Sequence, residues 1–278
     1  MKVAAIQMVS ATTPDSNLQQ ARELLGEAAR SGAELAVLPE YFCLMGKRDT
    51  DKLAIQETQG GGPIQQFLAD AARELGLWIV GGTLPLSITT KGIEAGQRTR
   101  VFNSSLVYSP AGQCVARYDK IHLFRFDDGT QAFDESRVLQ RGSLPVSFEL
   151  TARDGGHWRI GMSVCYDLRF PELYRHYAHQ GVDLLLVPSA FTYTTGQAHW
   201  EVLLRARAIE NQAFVVAAAQ GGLHENGRRT WGHSMLVDPW GEVLAQKPEG
   251  QGVVCQDLSL ATRAACHAKL PTLEHFVL

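Results

Sequence analysis

A cysteine, a glutamate and a lysine of this sequence stand where catalytic chemistry is possible. Cys165 follows an apolar stretch typical of a strand, and Pro171 after it suits the first turn of a helix. A nucleophile on such a sharp strand-to-helix turn is exposed at the edge of a sheet, where backbone N–H groups can face a developing oxyanion. Because free cysteines are commonly buried as small apolar residues, this position alone leaves a purely structural role open.

Glu40 and Lys120 carry the charges that such a nucleophile would need. Glu40 follows the apolar run 35–39, and partial desolvation there would raise the pKa of its carboxyl toward the value useful to a general base. Lys120 is flanked by apolar residues, where an ammonium can stabilise an oxyanion. A solvated loop glutamate and a surface lysine are the alternatives when each is taken alone. Together the three residues describe a thiol nucleophile, a carboxylate base and a cationic oxyanion donor.

Histidine is the base that a papain-type cysteine hydrolase would use. The sequence has nine histidines, and their spacing selects none as the partner of Cys165. His122 lies two residues after Lys120 and shares its face if the segment is extended, and we interpret it as a structural imidazole. Since no histidine spacing matches a metal motif such as HExxH and the five cysteines form no CxxC pair, we expect no metal site.

Strand and helix patterns alternate along the chain and would position these residues. Strands are predicted at 2–8, 34–38, 77–80, 158–164, 183–188, 213–219 and 232–238, and a hairpin is predicted at 101–108 and 113–118. Helices are predicted at 18–28, 63–75, 171–180 and 197–211. The chain has no Pro/Ser-rich linker and no short-period repeat, so we predict one domain, residues 1–278, with a mixed sheet covered by helices.

Composition and charge exclude several classes of protein. The 278 residues include 26 Lys+Arg and 29 Asp+Glu, and the net charge of −3 without a basic stripe argues against nucleic-acid binding. The pair Arg228-Arg229 is interpreted as part of a solvated loop. Because no segment reaches the ~18 apolar residues of a membrane helix, we expect no membrane partner. The odd number of cysteines fits reduced thiols, and a cytoplasmic location is expected.

Three motifs resemble the signatures of the nitrilase superfamily of carbon–nitrogen hydrolases, in the family's order and at suitable separations. They are Leu38-Pro39-Glu40, Tyr118-Asp119-Lys120-Ile121-His122-Leu123-Phe124 and Ser163-Val164-Cys165-Tyr166-Asp167-Leu168-Arg169-Phe170-Pro171-Glu172. The likeness continues through the segments 187–192, 195–201, 205–211, 232–233 and 238–241. It therefore covers nearly the whole chain.

This resemblance implies an α/β fold, a four-layer α-β-β-α sandwich in which two sheets pack face to face with helices outside. It implies a Glu-Lys-Cys triad at Glu40, Lys120 and Cys165, and a second glutamate, Glu135, that helps to position the base and the substrate. A simple loop carboxylate is the alternative for Glu135. Family members commonly pair through an outer helical face, so a homodimer or a larger even assembly is implied. The implied reaction passes through a thioester on the cysteine and requires no cofactor.

The expected class of substrate follows from resemblance alone. Nitrilases usually continue with Trp-Glu where this chain has Tyr166-Asp167, which favours an amidase. The segment 187–211 looks closest to deaminated glutathione amidases and omega-amidases. The latter tend to have Gly-Ala-Phe-Asn in place of the Ser-Ala-Phe-Thr at 189–192, so the former are preferred. The expected reaction is hydrolysis of the side-chain amide of a small 2-oxo acid to a carboxylate and ammonia.

A substrate with a carboxylate requires a cation in the pocket. Arg169, four residues after Cys165, is the candidate for a bidentate clamp, and an ion pair with Asp167 or Glu172 is its structural alternative. The resemblance also suggests that Tyr166, Phe191 and Thr195 bind substrate, with the backbone N–H of Tyr166 as the second oxyanion donor. All three are candidates for the pocket wall.

Other functions stay open at this point. They are an omega-amidase, another amidase of the superfamily, an N-carbamoyl amidohydrolase, and a catalytically silent subunit that binds a small molecule or serves as a scaffold. The intact Glu40, Lys120 and Cys165 argue against the silent subunit. A protein that only binds has no need of a nucleophile, a base and an oxyanion donor together.

Overall fold

Two β-sheets form the centre of this computed structural model, which describes residues 1–88, 100–127, 129, 132–275 and 277. The strands within these residues are β1 Lys2–Gln7, β2 Leu35–Val37, β3 Trp78–Val80, β4 Leu84–Ser87, β5 Val101–Tyr108, β6 Cys114–Asp119, β7 Arg125–Asp127, β8 Ala132–Asp134, β9 Leu139–Gln140, β10 Ser147–Thr151, β11 His157–Met162, β12 Leu184–Leu186, β13 Phe214–Ala217, β14 Gly221–Leu223, β15 Arg229–Trp231, β16 Ser234–Val237, β17 Val243–Lys247 and β18 Gly252–Asp257. The helices are α1 Pro14–Arg30, α2 Asp51–Ala54, α3 Pro63–Leu75, α4 Pro171–His179, α5 Tyr193–Asn211 and α6 Leu260–Lys269.

The two large sheets have related topologies. The first runs in the order β18-β1-β2-β3-β5-β4, with β6 and β9 also paired to β5, and the second runs β10-β11-β12-β13-β16-β17. Each contains three neighbouring parallel strands, β1-β2-β3 in the first and β11-β12-β13 in the second. Antiparallel strands continue both sheets on either side. Two separate hairpins, β7-β8 and β14-β15, lie outside the sheets.

The side chains of β1 show how the layers are held together. Val3 and Ala5 belong to the apolar core that also contains Ile160 of the second sheet, whereas Ala4 and Ile6 belong to a second core with residues of α1 and α3. Successive residues of a strand point to opposite faces, so one fully apolar strand supplies both cores. Helices α1 and α3 therefore cover the outer face of the first sheet.

Helices α4 and α5 cover the second sheet in the same way. Tyr177 of α4 and Leu204 of α5 are buried in the core together with Leu185 of β12. Gly161 of β11 allows this close approach, since a Cβ there would lie 2.9 Å from the ring of Tyr177. The order of layers is helices, sheet, sheet, helices, and the predicted α-β-β-α sandwich is confirmed.

Most predicted elements are present with shifted ends. The helix predicted at 197–211 begins earlier, at Tyr193, and the strand predicted at 232–238 begins only at Ser234. The later start has a physical cause, because Gly232 and His233 have φ of 75° and 55°, which a strand does not accommodate. No described helix has the length and apolar character that crossing a membrane requires.

Candidate active site

Three chain segments bring Glu40, Lys120 and Cys165 together where strands of both sheets end. Glu40 follows β2, Lys120 directly follows β6, and Cys165 begins a 3₁₀ turn after β11. All three are buried: their exposed fractions are 1%, 0% and 7%. The structure thus brings the three residues singled out in the sequence together, with Glu40 and Cys165 lining one cleft and Lys120 buried behind Glu40.

Cys165 has a strained backbone conformation. Its φ is 51°, in the left-handed region that residues with a side chain rarely adopt. The backbone N–H of Cys165 donates a hydrogen bond of 3.0 Å to the carbonyl of Pro188, which ties the turn to the end of β12. Strain of this kind persists only where the surroundings enforce it, and it clusters at functional sites.

Asp167 helps to hold the backbone of the Cys165 turn in this conformation. Its buried carboxylate accepts hydrogen bonds from the backbone N–H of Val164 at 2.8 Å and from the hydroxyl of Tyr118 at 2.7 Å. It also contacts His122 through the backbone N–H at 3.0 Å and the ring Nδ1 at 2.7 Å. The imidazole stacks on Phe170, with ring centroids 3.7 Å apart. His122 therefore joins the segment of Lys120 to the turn of Cys165, consistent with its interpretation as a structural residue.

The carboxylate of Glu40 is held by three donors. Its Oε1 accepts hydrogen bonds from Nζ of Lys120 at 2.8 Å and from Nδ2 of Asn103 at 2.9 Å. Its Oε2 accepts a hydrogen bond of 3.0 Å from the backbone N–H of Ala190. A buried charge is costly unless it is paired and hydrogen-bonded, and both conditions are met here. The carboxylate is consequently fixed beside the thiol.

Glu135 lies on the other side of the ammonium. Nζ of Lys120 donates to both of its oxygens, at 3.0 and 2.9 Å. Glu135 also accepts hydrogen bonds of 2.7 Å from the hydroxyl of Tyr41 and from the backbone N–H of Phe124. The sequence prediction left a simple loop carboxylate as an alternative for Glu135. The structure instead places Glu135 within the charged cluster.

The electrostatics of the cluster keep Lys120 charged and Cys165 neutral. Burial alone would lower the pKa of Lys120, but the carboxylates of Glu135 and Glu40 outweigh it and hold that pKa well above the usual range. Burial raises the pKa of the Cys165 thiol, the charge of Glu40 raises it further, and Lys120 opposes both. Burial disfavours the charged form of Glu135, yet Lys120 and Lys52 hold its pKa below the usual value.

The arrangement suits acyl transfer. A neutral thiol lies beside a fixed carboxylate that can take its proton, and a permanent ammonium lies close enough to stabilise negative charge on a carbonyl oxygen. Because the thiolate is the reactive form, proton transfer to the carboxylate must accompany attack. Within the described residues, no group of three or more His, Cys, Asp and Glu could hold a metal ion.

A narrow cleft opens at the triad, with about 20 Å³ of room for the centres of water-sized molecules. The candidate substrate residues Tyr166, Arg169, Phe191 and Thr195 all line it. The guanidinium carbon of Arg169 lies 5.3 Å from the ring centroid of Phe191 and 5.7 Å from that of Tyr166. The carboxylate of Asp167, offered as a structural partner of Arg169, is instead occupied by Val164, Tyr118 and His122.

Sequence reasoning missed Tyr41, Asn103 and Arg228. Tyr41 follows Glu40 directly, and this adjacency was the only signal for it. Arg228 was interpreted with Arg229 as a solvated pair, and this is wrong for Arg228, which is half-buried and lines the cleft. Arg229 is exposed and pairs with Glu249 at 3.3 Å. Arg228 directly precedes strand β15 and Arg229 begins it, and successive side chains of an extended segment point to opposite sides.

Comparisons with known proteins agree with this geometry. A family model described as carbon-nitrogen hydrolase matches residues 2–268. A deaminated glutathione amidase of Synechocystis is 39% identical over 99% of this chain and 97% of its own length. An omega-amidase of Pongo abelii is 34% identical over 97% of this chain and 92% of its own. The crystal structure of the C. elegans NitFhit protein superposes with a TM-score of 0.85 at 34% identity, covering 99% of this chain, and this chain spans 64% of that protein.

Proposed function

This chain belongs to the carbon-nitrogen hydrolase family and is an enzyme that acts on amides. We propose that it hydrolyses the side-chain amide of a small 2-oxo acid, with Cys165 as the nucleophile. The observation that carries the proposal is the contact of Lys120 with both Glu40 and Glu135, two residues that line the same cleft as Cys165 and Arg169. The guanidinium of Arg169 can bind the carboxylate of a 2-oxo acid, whereas an amide without a carboxylate would have no use for this cation.

The first half-reaction forms a thioester. Glu40 takes the proton of the Cys165 thiol as the sulfur attacks the amide carbon. The electron pair of the C=O bond moves onto oxygen, and the ammonium of Lys120 and the backbone N–H of Tyr166 stabilise that oxyanion. When the C=O bond re-forms, the C–N bond breaks, and Glu40 gives its proton to the departing nitrogen. The amine leaves, and the acyl group stays on sulfur.

The second half-reaction releases the acid. Glu40 takes a proton from a water molecule, whose oxygen attacks the thioester carbon. The same two donors hold the second oxyanion, the C–S bond then breaks, and the proton returns to the sulfur. Glu135 acts in both halves as a positioning residue, because its two hydrogen bonds to Lys120 aim the ammonium. No step requires a cofactor.

The names of relatives guide the choice of substrate. Relatives at about 39% identity are called deaminated glutathione amidase, and the omega-amidase is less similar, at 34%. We therefore favour a deaminated glutathione-like amide. Deaminated glutathione is glutathione with an oxo group in place of the α-amino group. The nitrogen of its side-chain amide is that of cysteinylglycine. Such a substrate releases that amine, whereas a primary amide releases the ammonia expected from the sequence.

The chain forms a single domain and a homodimer in this proposal. Both sheets contribute to one continuous core, which supports a single domain.

Val202 and Ile209, about two turns apart on α5, are 62% and 47% exposed, and Trp240 is 58% exposed. Exposed apolar side chains on α5 support the proposal that two copies pair through this outer helical face. The free, exposed thiol of Cys114 supports a reducing, cytoplasmic location.

The experiment that tests the function is a panel of amides, nitriles and N-carbamoyl compounds, with release of ammonia or amine as the measurement. The wild-type protein should act on 2-oxo-acid amides in preference to the other compounds. Cys165→Ala should abolish turnover with an unchanged circular dichroism spectrum, and Cys114→Ala, which removes an exposed thiol, should be fully active. Turnover by Cys165→Ala would exclude this nucleophile, and preference for a nitrile would exclude the substrate class.

A further inference from the structure

Two cations near the triad, Arg228 and Lys52, have no part in the mechanism above. Arg228 lines the cleft, and its guanidinium carbon lies 5.2 Å from the ring centroid of Phe133. Lys52 of α2 stands over the ring of Tyr41, with Nζ 4.5 Å from the centroid. Tyr41 also lines the cleft and donates to Glu135. The two cations therefore flank the same wall of the site.

This wall is distinct from the one that carries Arg169. Arg169 stands over the rings of Tyr166 and Phe191, whereas Arg228 stands over Phe133. The ring of Phe124 lies between the two walls, because its centroid is 5.2 Å from that of Tyr166 and 5.9 Å from that of Phe133. A carboxylate held by Arg169 thus leaves Arg228 free for another anionic group.

The charge balance of the site leaves both arginines unmatched. At the cleft, Glu40 and Glu135 contribute two negative charges and Lys120 and Lys52 offset them, while the exposed Asp49 also acts on Lys52. Among the described residues, neither Arg169 nor Arg228 forms an ion pair with a carboxylate. A partly buried guanidinium without an anion is a ready partner for one. The site as folded therefore has two cationic positions for the substrate to fill.

Lys52 and Arg228 are close enough for their charges to interact. Burial is the main cause that lowers the pKa of Lys52; the carboxylates of Glu135, Asp49 and Glu40 raise it, and the charge of Arg228 lowers it. An anion bound beside Arg228 would relieve the repulsion between these two cations.

We propose that Arg228, supported by Lys52, binds a carboxylate on the leaving amine of the substrate, while Arg169 binds the carboxylate of the 2-oxo acyl group. The enzyme would then prefer amides whose nitrogen carries a short peptide or amino acid ending in a free carboxylate. This inference rests on the proposed function, because it assigns the two halves of the same substrate to two sides of Cys165. It predicts that Arg169 acts in both half-reactions, whereas Arg228 acts only until the amine leaves.

Two substrates that differ in a single group provide the test. The 5-amide of 2-oxoglutaric acid with glycylglycine ends in a carboxylate, and its twin made with glycylglycinamide ends in a neutral amide. For the wild-type protein, kcat/KM should be about 10-fold to 100-fold higher for the carboxylate-terminated substrate, the range expected for a charge-assisted hydrogen bond. In Arg228→Gln this preference should fall close to 1. Arg229→Gln is the matched control and should keep the preference, because Arg229 is exposed and pairs with Glu249.

A binding measurement separates recognition from chemistry. In Cys165→Ala, which cannot form the thioester, calorimetry should show tighter binding of the carboxylate-terminated compound, and the added Arg228→Gln substitution should remove the difference. Equal kcat/KM for the two substrates in the wild-type protein, or an undiminished preference in Arg228→Gln, would overturn this inference while leaving the amidase function intact. A wild-type protein that turns over neither compound nor any primary 2-oxo-acid amide would instead overturn the proposed function.

Discussion

Nζ of Lys120 lies 2.8 Å from Oε1 of Glu40, although 80 positions of sequence separate the two residues. Both side chains are buried, and such a pair is stable only when its remaining hydrogen-bonding groups are satisfied. Asn103 and Ala190 satisfy Glu40, and Glu135 satisfies Lys120. Each residue of this cluster is hydrogen-bonded to another. Replacing one should therefore change the positions of the others and, through them, catalysis.

Glu40→Gln should lower kcat by about 10²-fold to 10⁴-fold, the contribution of general acid–base catalysis, with little change in KM. The amide of Gln fills the same space but cannot accept the proton of Cys165 or of water. Steady-state kinetics with a 2-oxo-acid amide measures the effect, and Glu201→Gln on the exposed side of α5 is the control. A rise in KM with unchanged kcat would show that Glu40 binds substrate and is not the base.

Arg169→Lys should lower kcat/KM for a 2-oxo-acid amide by about 10-fold or more. Lysine keeps the charge but loses the planar fork that grips a carboxylate with two hydrogen bonds. For an amide of the same length without a carboxylate, the substitution should lower kcat/KM much less. Both values come from initial rates, with Arg229→Lys as the control. An unchanged kcat/KM would remove Arg169 from the pocket.

Asp167→Asn should lower the free energy of unfolding by about 2–4 kcal/mol, because an amide N–H would face the donors that now surround the carboxylate. Those donors include the backbone N–H of Val164 and the hydroxyl of Tyr118. Tyr118→Phe removes one of the hydrogen bonds and should cost about 1 kcal/mol. Urea unfolding compares the two variants. A smaller loss in Asp167→Asn than in Tyr118→Phe would contradict the role of Asp167 as the anchor of the Cys165 turn.

Stability should fall as the pH rises above 9, partly through Cys43. Burial raises the pKa of this thiol from 9.0 to about 12. Between these values the unfolded chain has lost the proton and the folded chain keeps it, so unfolding releases a proton and becomes easier as the pH increases. The expected slope from this group is about 1.4 kcal/mol per pH unit.

Cys43→Ala tests that contribution. Denaturation in urea at several pH values from 8 to 11, under reducing conditions, should give a shallower loss of stability with pH for the variant than for the wild type. Truncation of a buried side chain lowers the stability of the variant at neutral pH, so the slope is the quantity to compare. Parallel curves for the two proteins would show that Cys43 titrates alike in the folded and unfolded chains.

Val202→Glu should convert the proposed homodimer into monomers. A carboxylate at the centre of an apolar patch loses its hydration when the two surfaces meet, and like charges approach across a two-fold interface. Sedimentation velocity measures the mass, and Val115→Glu, an equally apolar exposed position on β6, is the control. A dimer of undiminished affinity in Val202→Glu would place the interface elsewhere.

The order of elements was predictable from local patterns, and three residues of the site from local patterns together with the family's motifs. Glu40 and Lys120 border apolar strands, and Cys165 precedes a proline that starts a helix, so each signal lies within a few residues of the position it describes. The predicted hairpin at 101–108 and 113–118 corresponds to β5 and β6 for the same reason. Apolar alternation and turn residues act over short distances, and the sequence contains them in full.

Only the tertiary structure decided which distant side chains meet. Asn103 reaches Glu40 because β5 lies beside the parallel strands of the first sheet, and local patterns do not encode the order of strands in a sheet. Arg228 and Arg229 are identical and adjacent in the sequence, yet the first lines the cleft and the second faces solvent. Their difference arises from the register of a two-stranded hairpin against the rest of the molecule, since a shift of one residue would exchange their places.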